Sequence, residues 1–157
     1  MIHHQTRHLA NETTTLALGA SIADSLHGGM VIYLHGDLGA GKTTLVRGIL
    51  HGLGYKNVVK SPTYNLVELY KFSKLYCYHF DFYRFNDPIE WEEAGFREYF
   101  NANAICLVEW PEKAGNLLPA ADLRISIHFI NESGRNVDIY AETEAGKRCL
   151  TYWQKQK

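Results

Sequence analysis

One segment, Gly36-Asp37-Leu38-Gly39-Ala40-Gly41-Lys42-Thr43, constrains this chain more than any other, because it fits G-x-x-x-x-G-K-[ST] at every position. The glycines let the backbone curl so that successive N–H groups point inward at an anion. The motif needs a strand before it and a helix after it. Met30 to His35 is a short apolar, β-branched run that reads as a buried strand. From Lys42 to Leu53, Leu45, Val46, Ile49 and Leu50 repeat at helical spacing until Gly52 and Gly54 stop them. A helix that starts at the loop offers free N–H groups and a favourable dipole to phosphate. In that frame Lys42 reaches the β- and γ-phosphates and Thr43 places its hydroxyl on Mg²⁺. The expected ATP-binding segment runs Gly36, Asp37, Leu38, Gly39, Ala40, Gly41, Lys42, Thr43 and Thr44. The glycines follow G-x-x-G-x-G, which excludes the dinucleotide fingerprint G-x-G-x-x-G.

The rest of the chain reads as alternating elements. Asn11 to Leu26 predicts a helix with Asn11 as its cap. Asn65 to Phe72 and Leu75 to Tyr83 predict an antiparallel hairpin across Ser73-Lys74. Pro88 to Phe100 predicts a helix with proline in its first turn. Ala104 to Trp110 is a central strand, and Pro111 to Pro119 is loop or short helix. Leu123 to Ile130 and Val137 to Ala141 are outer strands joined around Ser133-Gly134, and Glu142 to Trp153 is a terminal helix. Met1 to Ala10, with His3, His4 and His8, reads as a solvated polar tail. The expected architecture is a single α/β domain, a P-loop NTPase fold with a mixed central sheet flanked by helices. A length of 157 residues suits one such domain.

A P-loop needs a second contact to Mg²⁺, commonly an acid ending an apolar strand. Asp81, in Tyr78-His79-Phe80-Asp81-Phe82-Tyr83-Arg84, is the main candidate; a salt bridge to Arg84 or a turn carboxylate is its competing role. Glu109 ends the next apolar strand, where it can orient the attacking water, take its proton or complete the metal shell. Thr63, in Ser61-Pro62-Thr63-Tyr64, lies where nucleotide switches keep a threonine that senses the γ-phosphate, although the same tripeptide makes ordinary turns. The candidate catalytic set is therefore Asp81, Glu109, Thr63 and Lys42, and the candidate metal set is Thr43, Asp81 and Glu109. Trp110 is a further candidate neighbour, and Arg135, in the late turn, a candidate for covering the nucleotide. His79 reads as a packed strand histidine, and Glu90, Glu92 and Glu93 as a solvated helix face.

Charge restricts the partners. The formal net charge is −1 and no arm or stripe of Lys/Arg stands out, so the footprint of an autonomous nucleic-acid binder is missing. Any role on nucleic acid is expected to run through another protein. Cys77, Cys106 and Cys149 fit no zinc spacing, and Cys77 and Cys106 read as buried thiols suited to a reducing compartment. Without a signal-peptide core or an apolar run of spanning length, a cytoplasmic protein is expected.

Four blocks together carry a resemblance. Gly36 to Leu45, Lys60-Ser61-Pro62-Thr63-Tyr64, His79 to Arg84, and Glu109-Trp110-Pro111 occur in an order and spacing that resembles the TsaE (YjeE) family of the bacterial tRNA threonylcarbamoyladenosine pathway. The resemblance spans nearly the whole chain. It implies a weak ATPase that uses ATP/ADP and Mg²⁺, the metal being held through Thr43, Asp81 and Glu109. It also implies that Thr63 is the switch threonine and Trp110 a neighbour of the site. The implied partners are the threonylcarbamoyl transferase subunit (TsaD) and its inactive paralogue (TsaB). With them the ATPase supports modification of adenosine 37 in tRNAs reading ANN codons, touching tRNA only indirectly and no membrane.

Three other readings compete, and one of them, a nucleotide-gated binding module in which ATP orders a docking surface and hydrolysis resets it, shades into the family resemblance. A P-loop small-molecule kinase needs an acceptor pocket and an arginine-bearing lid, and the basic residues after Arg84 are scattered. A GTPase needs an N-K-x-D guanine-reading motif, which does not occur.

Overall fold

The computed structural model describes residues 2–62 and 64–156, apart from the Pro88 side chain. Thr63, the candidate switch residue, lies outside the described residues. The elements are β1 (His4–Leu9), α1 (Glu12–Ala23), β2 (Val31–His35), α2 (Lys42–Gly52), β3 (Val67–Lys71), β4 (Tyr76–Asp81), α3 (Pro88–Ala94), β5 (Ala104–Glu109), β6 (Leu123–Phe129), β7 (Arg135–Ala141) and α4 (Glu144–Lys155). Short 3₁₀ turns cover Phe96–Tyr99, Pro111–Lys113 and Gly115–Leu117.

Seven strands form one sheet in the order β1-β7-β6-β2-β5-β4-β3. The central pairs β6/β2, β2/β5 and β5/β4 are parallel, while β3, β7 and β1 join antiparallel toward the edges. This is the mixed α/β sheet expected from the sequence. Strands covered on both faces read as unbroken apolar runs, and β5 is buried along its whole length. Parallel strands end at the same edge of the sheet. The ends of β2, β4 and β5 therefore bring the glycine loop, Asp81 and Glu109 to one crevice, where ligands of such sheets bind.

Alternation sorts the side chains to two faces. Ile32, Leu34, Cys77, Ile105 and Leu107 pack in the core that contains α1, α2 and α4 residues. The opposite face carries an aromatic core of Phe80, Phe82, Phe85, Trp91 and Phe96 with Cys106 and Val108. All three cysteines are free and buried, and burial pushes the thiols of Cys106 and Cys149 up to about 12.

Helices α1 and α2 touch backbone to backbone. A Cβ on Gly48 would sit 2.4 Å from the Leu16 carbonyl oxygen, and one on Gly19 would sit 2.5 Å from that of Leu45. Alanine ordinarily favours a helix over glycine by about 1 kcal/mol, but forced separation of packed elements costs about 1–3 kcal/mol. The clash wins, so Gly48→Ala is expected to lower unfolding stability by about 1–2 kcal/mol. A chemical denaturation curve checks this; an unchanged or raised midpoint would show that α1 gives way freely.

Two expectations need correction. The N-terminal segment is an edge strand, not a solvated tail. Its His4–Leu9 backbone pairs with β7, Leu9 is buried, and the His4 ring stacks on Tyr140 at 4.4 Å beside Asp138. Its polar side chains alternate outward, which hides a strand whose partner lies over a hundred residues away in sequence. The helix expected over Pro88–Phe100 stops at Ala94, because Gly95 turns left-handed at φ +68° and a 3₁₀ turn follows. Glu90 closes a capping box with Asp87, and Glu92 pairs with Arg97 at the surface, so neither carboxylate is merely solvated.

Candidate nucleotide-binding site

The loop after β2 wraps the N-terminus of α2. Gly41, at φ +114°, is the N-cap and supplies no capping side chain, so the first-turn N–H groups of the helix face the loop mouth. Any side chain at Gly41 would be strained in this left-handed turn. Ala40 is buried and Leu38 is exposed on the outer rim.

Lys42 is buried at the centre of the loop. Its Nζ donates to the carbonyl oxygens of Gly36 and of Asp37, the latter at 3.2 Å, and lies 4.2 Å from the centroid of the Trp110 ring. Burial lowers the lysine's pKa, and Glu109, Asp81, Glu112 and Asp37 oppose that shift. The ammonium thus rests on its own loop in an acidic surrounding. Trp110 stands directly after β5 in a left-handed conformation, φ +56°, with its ring 5.0 Å from Tyr83. The turn aims the indole back over the loop.

Beneath the loop, Thr43 Oγ1 donates to Glu109 Oε2 at 3.0 Å. Glu109 is buried, and His79 Nε2 meets the same oxygen at 2.6 Å. Register explains the grouping: β4 and β5 pair His79 with Leu107 and Asp81 with Glu109, so His79, Asp81 and Glu109 share a face. Asp81 is more open than Glu109. Its Oδ1 accepts the Tyr83 N–H at 3.0 Å; burial raises its pKa, the Tyr83 bond opposes this, and the Glu109 charge raises it further. Among the described residues no ion pair joins Asp81 to Arg84, whose guanidinium instead lies 5.8 Å from the Tyr64 ring centroid. The salt-bridge role for Asp81 is thereby excluded from this arrangement, whereas the bond from the Tyr83 N–H is that of a turn carboxylate, the other role the sequence leaves open.

Arg135 comes from the first residue of β7. Its Nε donates to the Ala40 carbonyl at 3.0 Å, and its guanidinium covers the Phe129 ring at 4.3 Å. It braces the loop from outside and borders a pocket of about 300 Å³ with Asn11, Glu12, Thr15 and Thr44. The structure therefore gathers Lys42, Thr43, Asp81, Glu109, Trp110 and Arg135 around one loop. Sequence reasoning missed two contributors. His79 was assigned to packing, although its position two residues before Asp81 places it on the same strand face. Asn11 was seen only as a helix cap, but it also lines the pocket.

The donor set suits Mg²⁺. A hydroxyl and a carboxylate are hard oxygen ligands, and their 3.0 Å separation matches the edge, about 2.9 Å, of an octahedron with 2.0–2.1 Å bonds. Among the described residues no group of three His, Cys, Asp or Glu could hold a metal ion. An ion here would therefore depend on water and substrate phosphates for its remaining ligands, as Mg²⁺ commonly does.

Known proteins place this architecture. Residues 9–137 match the family described as Threonylcarbamoyl adenosine biosynthesis protein TsaE. The tRNA threonylcarbamoyladenosine biosynthesis protein TsaE of Haemophilus influenzae is 44% identical over 151 residues, covering 93% of this chain and 95% of that protein. Its namesake from Bacillus subtilis is 38% identical over 131 residues, covering 83% and 82%. The crystal structure of Bacillus subtilis YdiB is similar over 99% of this chain and 97% of its own, with a TM-score of 0.85 and 29% identity. With four-fifths of its length inside the family match and the sheet shared end to end with a solved structure, this chain belongs to the TsaE family.

Proposed function

We propose that this protein is a Mg²⁺-dependent ATPase that serves the threonylcarbamoylation of adenosine 37 in tRNAs reading ANN codons. It acts on the transferase complex, TsaD with TsaB, and reaches tRNA only through it. The observation that carries this reading is the contact of Thr43 with buried Glu109 directly below the open N-terminus of α2.

The residues divide the work. Lys42 leaves the Gly36 and Asp37 carbonyls for the β- and γ-phosphates, which the first-turn amides of α2 also bind. The pocket between Asn11, Thr15 and Arg135 lies on the outer side of the loop and accommodates the nucleoside. Thr43 and Glu109 would hold the metal, which would supply neutralisation of phosphate charge when bound. Asp81, whose Oδ1 accepts the Tyr83 N–H, orients the attacking water or a water of the metal shell. Trp110 covers the lysine and limits water around it. A net charge of −1 without a basic stripe supports partner-mediated contact with tRNA.

Phosphate release from ATP tests the proposal, measured for the purified protein alone, with EDTA, and with TsaD and TsaB. Slow release alone, loss with EDTA and a rise with both partners are expected. If the partners leave the rate unchanged and labelled phosphate moves to a small acceptor, the protein is a kinase instead.

A further inference from the structure

His79 has no task in the ATPase reading, yet it is 0% exposed beside the site. Packing alone does not account for its nitrogens. Nε2 lies 2.6 Å from Glu109 Oε2, short for an N–H···O contact, whereas Nδ1 is buried with no hydrogen-bond partner among the described residues. A carboxylate oxygen accepts, so Nε2 carries the proton of this contact. A leucine or phenylalanine would fill the volume and leave no orphaned ring nitrogen. What the imidazole adds is one donor aimed at Glu109.

That donor fixes a side chain that is otherwise loosely held. The last torsion of a glutamate is broad and nearly two-fold. Oε2 accepts from His79 on one side and from Thr43 on the other, which sets the plane of the carboxylate. Among the described residues, neither of the two charged neighbours substitutes. Asp81, the register partner of Glu109, carries the same sign of charge, and the Lys42 ammonium is engaged by Gly36 and Asp37.

We propose that His79 is a positioning residue whose Nε2–H holds the Glu109 carboxylate against Thr43 and thereby sets how tightly the site takes Mg²⁺ with nucleotide. The inference rests on the Mg²⁺–ATP reading above. Partners that orient a metal-binding carboxylate commonly change metal affinity 10–100-fold when removed.

Three variants separate this role from packing. His79→Phe fills the space without a donor. His79→Gln carries an amide N–H at about the reach of Nε2. His79→Asn is equally polar but places its amide near Nδ1, too short to reach Glu109. The readout is binding of a fluorescent ATP analogue while Mg²⁺ is titrated, repeated in EDTA, with thermal melts of each variant. The Phe and Asn variants are expected to need about 10–100-fold more Mg²⁺ for half-maximal effect, with EDTA-state binding unchanged, while Gln stays within about 3-fold of wild type. Should the Phe variant fail to fold, the Gln and Asn pair decides. A wild-type Mg²⁺ requirement in the Asn variant, or equal shifts in Asn and Gln, overturns the role of His79. Nucleotide binding that ignores Mg²⁺ in wild type and in Glu109→Gln overturns the underlying ATPase reading, a different result from a silent His79.

Discussion

Replacing Lys42 with alanine is expected to reduce kcat/KM for ATP by about 10²–10³-fold, the scale at which removing one preorganised charge-stabilising donor acts. The phosphates lose the Lys42 ammonium at the loop centre and keep the backbone N–H groups of α2. The surroundings make that loss severe. Burial works against the positive charge of Lys42 and lowers its pKa, and Glu109, Asp81, Glu112 and Asp37 oppose that shift in part. Once the ammonium is removed, the Glu109 and Asp81 charges act on the incoming phosphates with one fewer positive group to offset them. Lys42→Arg is not expected to rescue activity. The guanidinium is planar and wide, and the space between the Gly36 carbonyl and the Trp110 ring fits a compact ammonium. Steady-state kinetics with a parallel thermal melt check the result. Wild-type turnover in a folded Lys42→Ala protein would remove the phosphate assignment.

Glu109→Gln is expected to lose about 10²-fold in kcat while ATP affinity in EDTA stays close to wild type. The amide keeps the shape and one acceptor oxygen for Thr43, but it lacks the charge that a divalent ion needs. Glu109→Ala should lose as much activity and also stability. It strands the His79 Nε2–H in a buried space, at about 1–3 kcal/mol, and leaves the half-buried Thr43 hydroxyl without its acceptor. Melting temperatures of the two variants therefore diverge even where their activities agree. The Gln variant has a further signature. Glu109 is one of the causes that raise the Asp81 pKa, so its neutralisation lets Asp81 ionise at lower pH. An Asp81-dependent step would then persist further into acid. Equal kcat in wild type and Glu109→Gln would leave the carboxylate no role in turnover.

The parts of the site legible in the sequence are those whose chemistry is contiguous. The loop from Gly36 to Thr43 is a single turn of chain, and its glycines, lysine and hydroxyl act through their own backbone. The apolar runs of β2 and β5, and of β4 around its single buried polar residue His79, were also readable, because strands packed on both faces are built mostly of apolar side chains. An acid ending such a run stands out, which is how Asp81 and Glu109 became visible. The hairpin of β3 and β4 and the cap at Asn11 rest on equally local signals.

The remainder depends on chain segments that meet only in the fold. Strand β1 has no apolar run, since it is an edge strand whose backbone is satisfied by β7. Arg135 reaches the loop from 95 residues away. His79 and Glu109, 30 residues apart, meet only because β4 and β5 are parallel and in a register that puts both on the loop's side of the sheet. A shift of one residue in that register would turn His79 into the aromatic core. By itself, then, the sequence determined that a phosphate-binding loop exists, which strands bury, and which acids end them, because each follows from local sterics and hydrophobic pattern. Which acid touches Thr43, what orients it and what braces the loop were decided by strand register and helix packing, because those contacts arise from long-range pairing that no local pattern encodes.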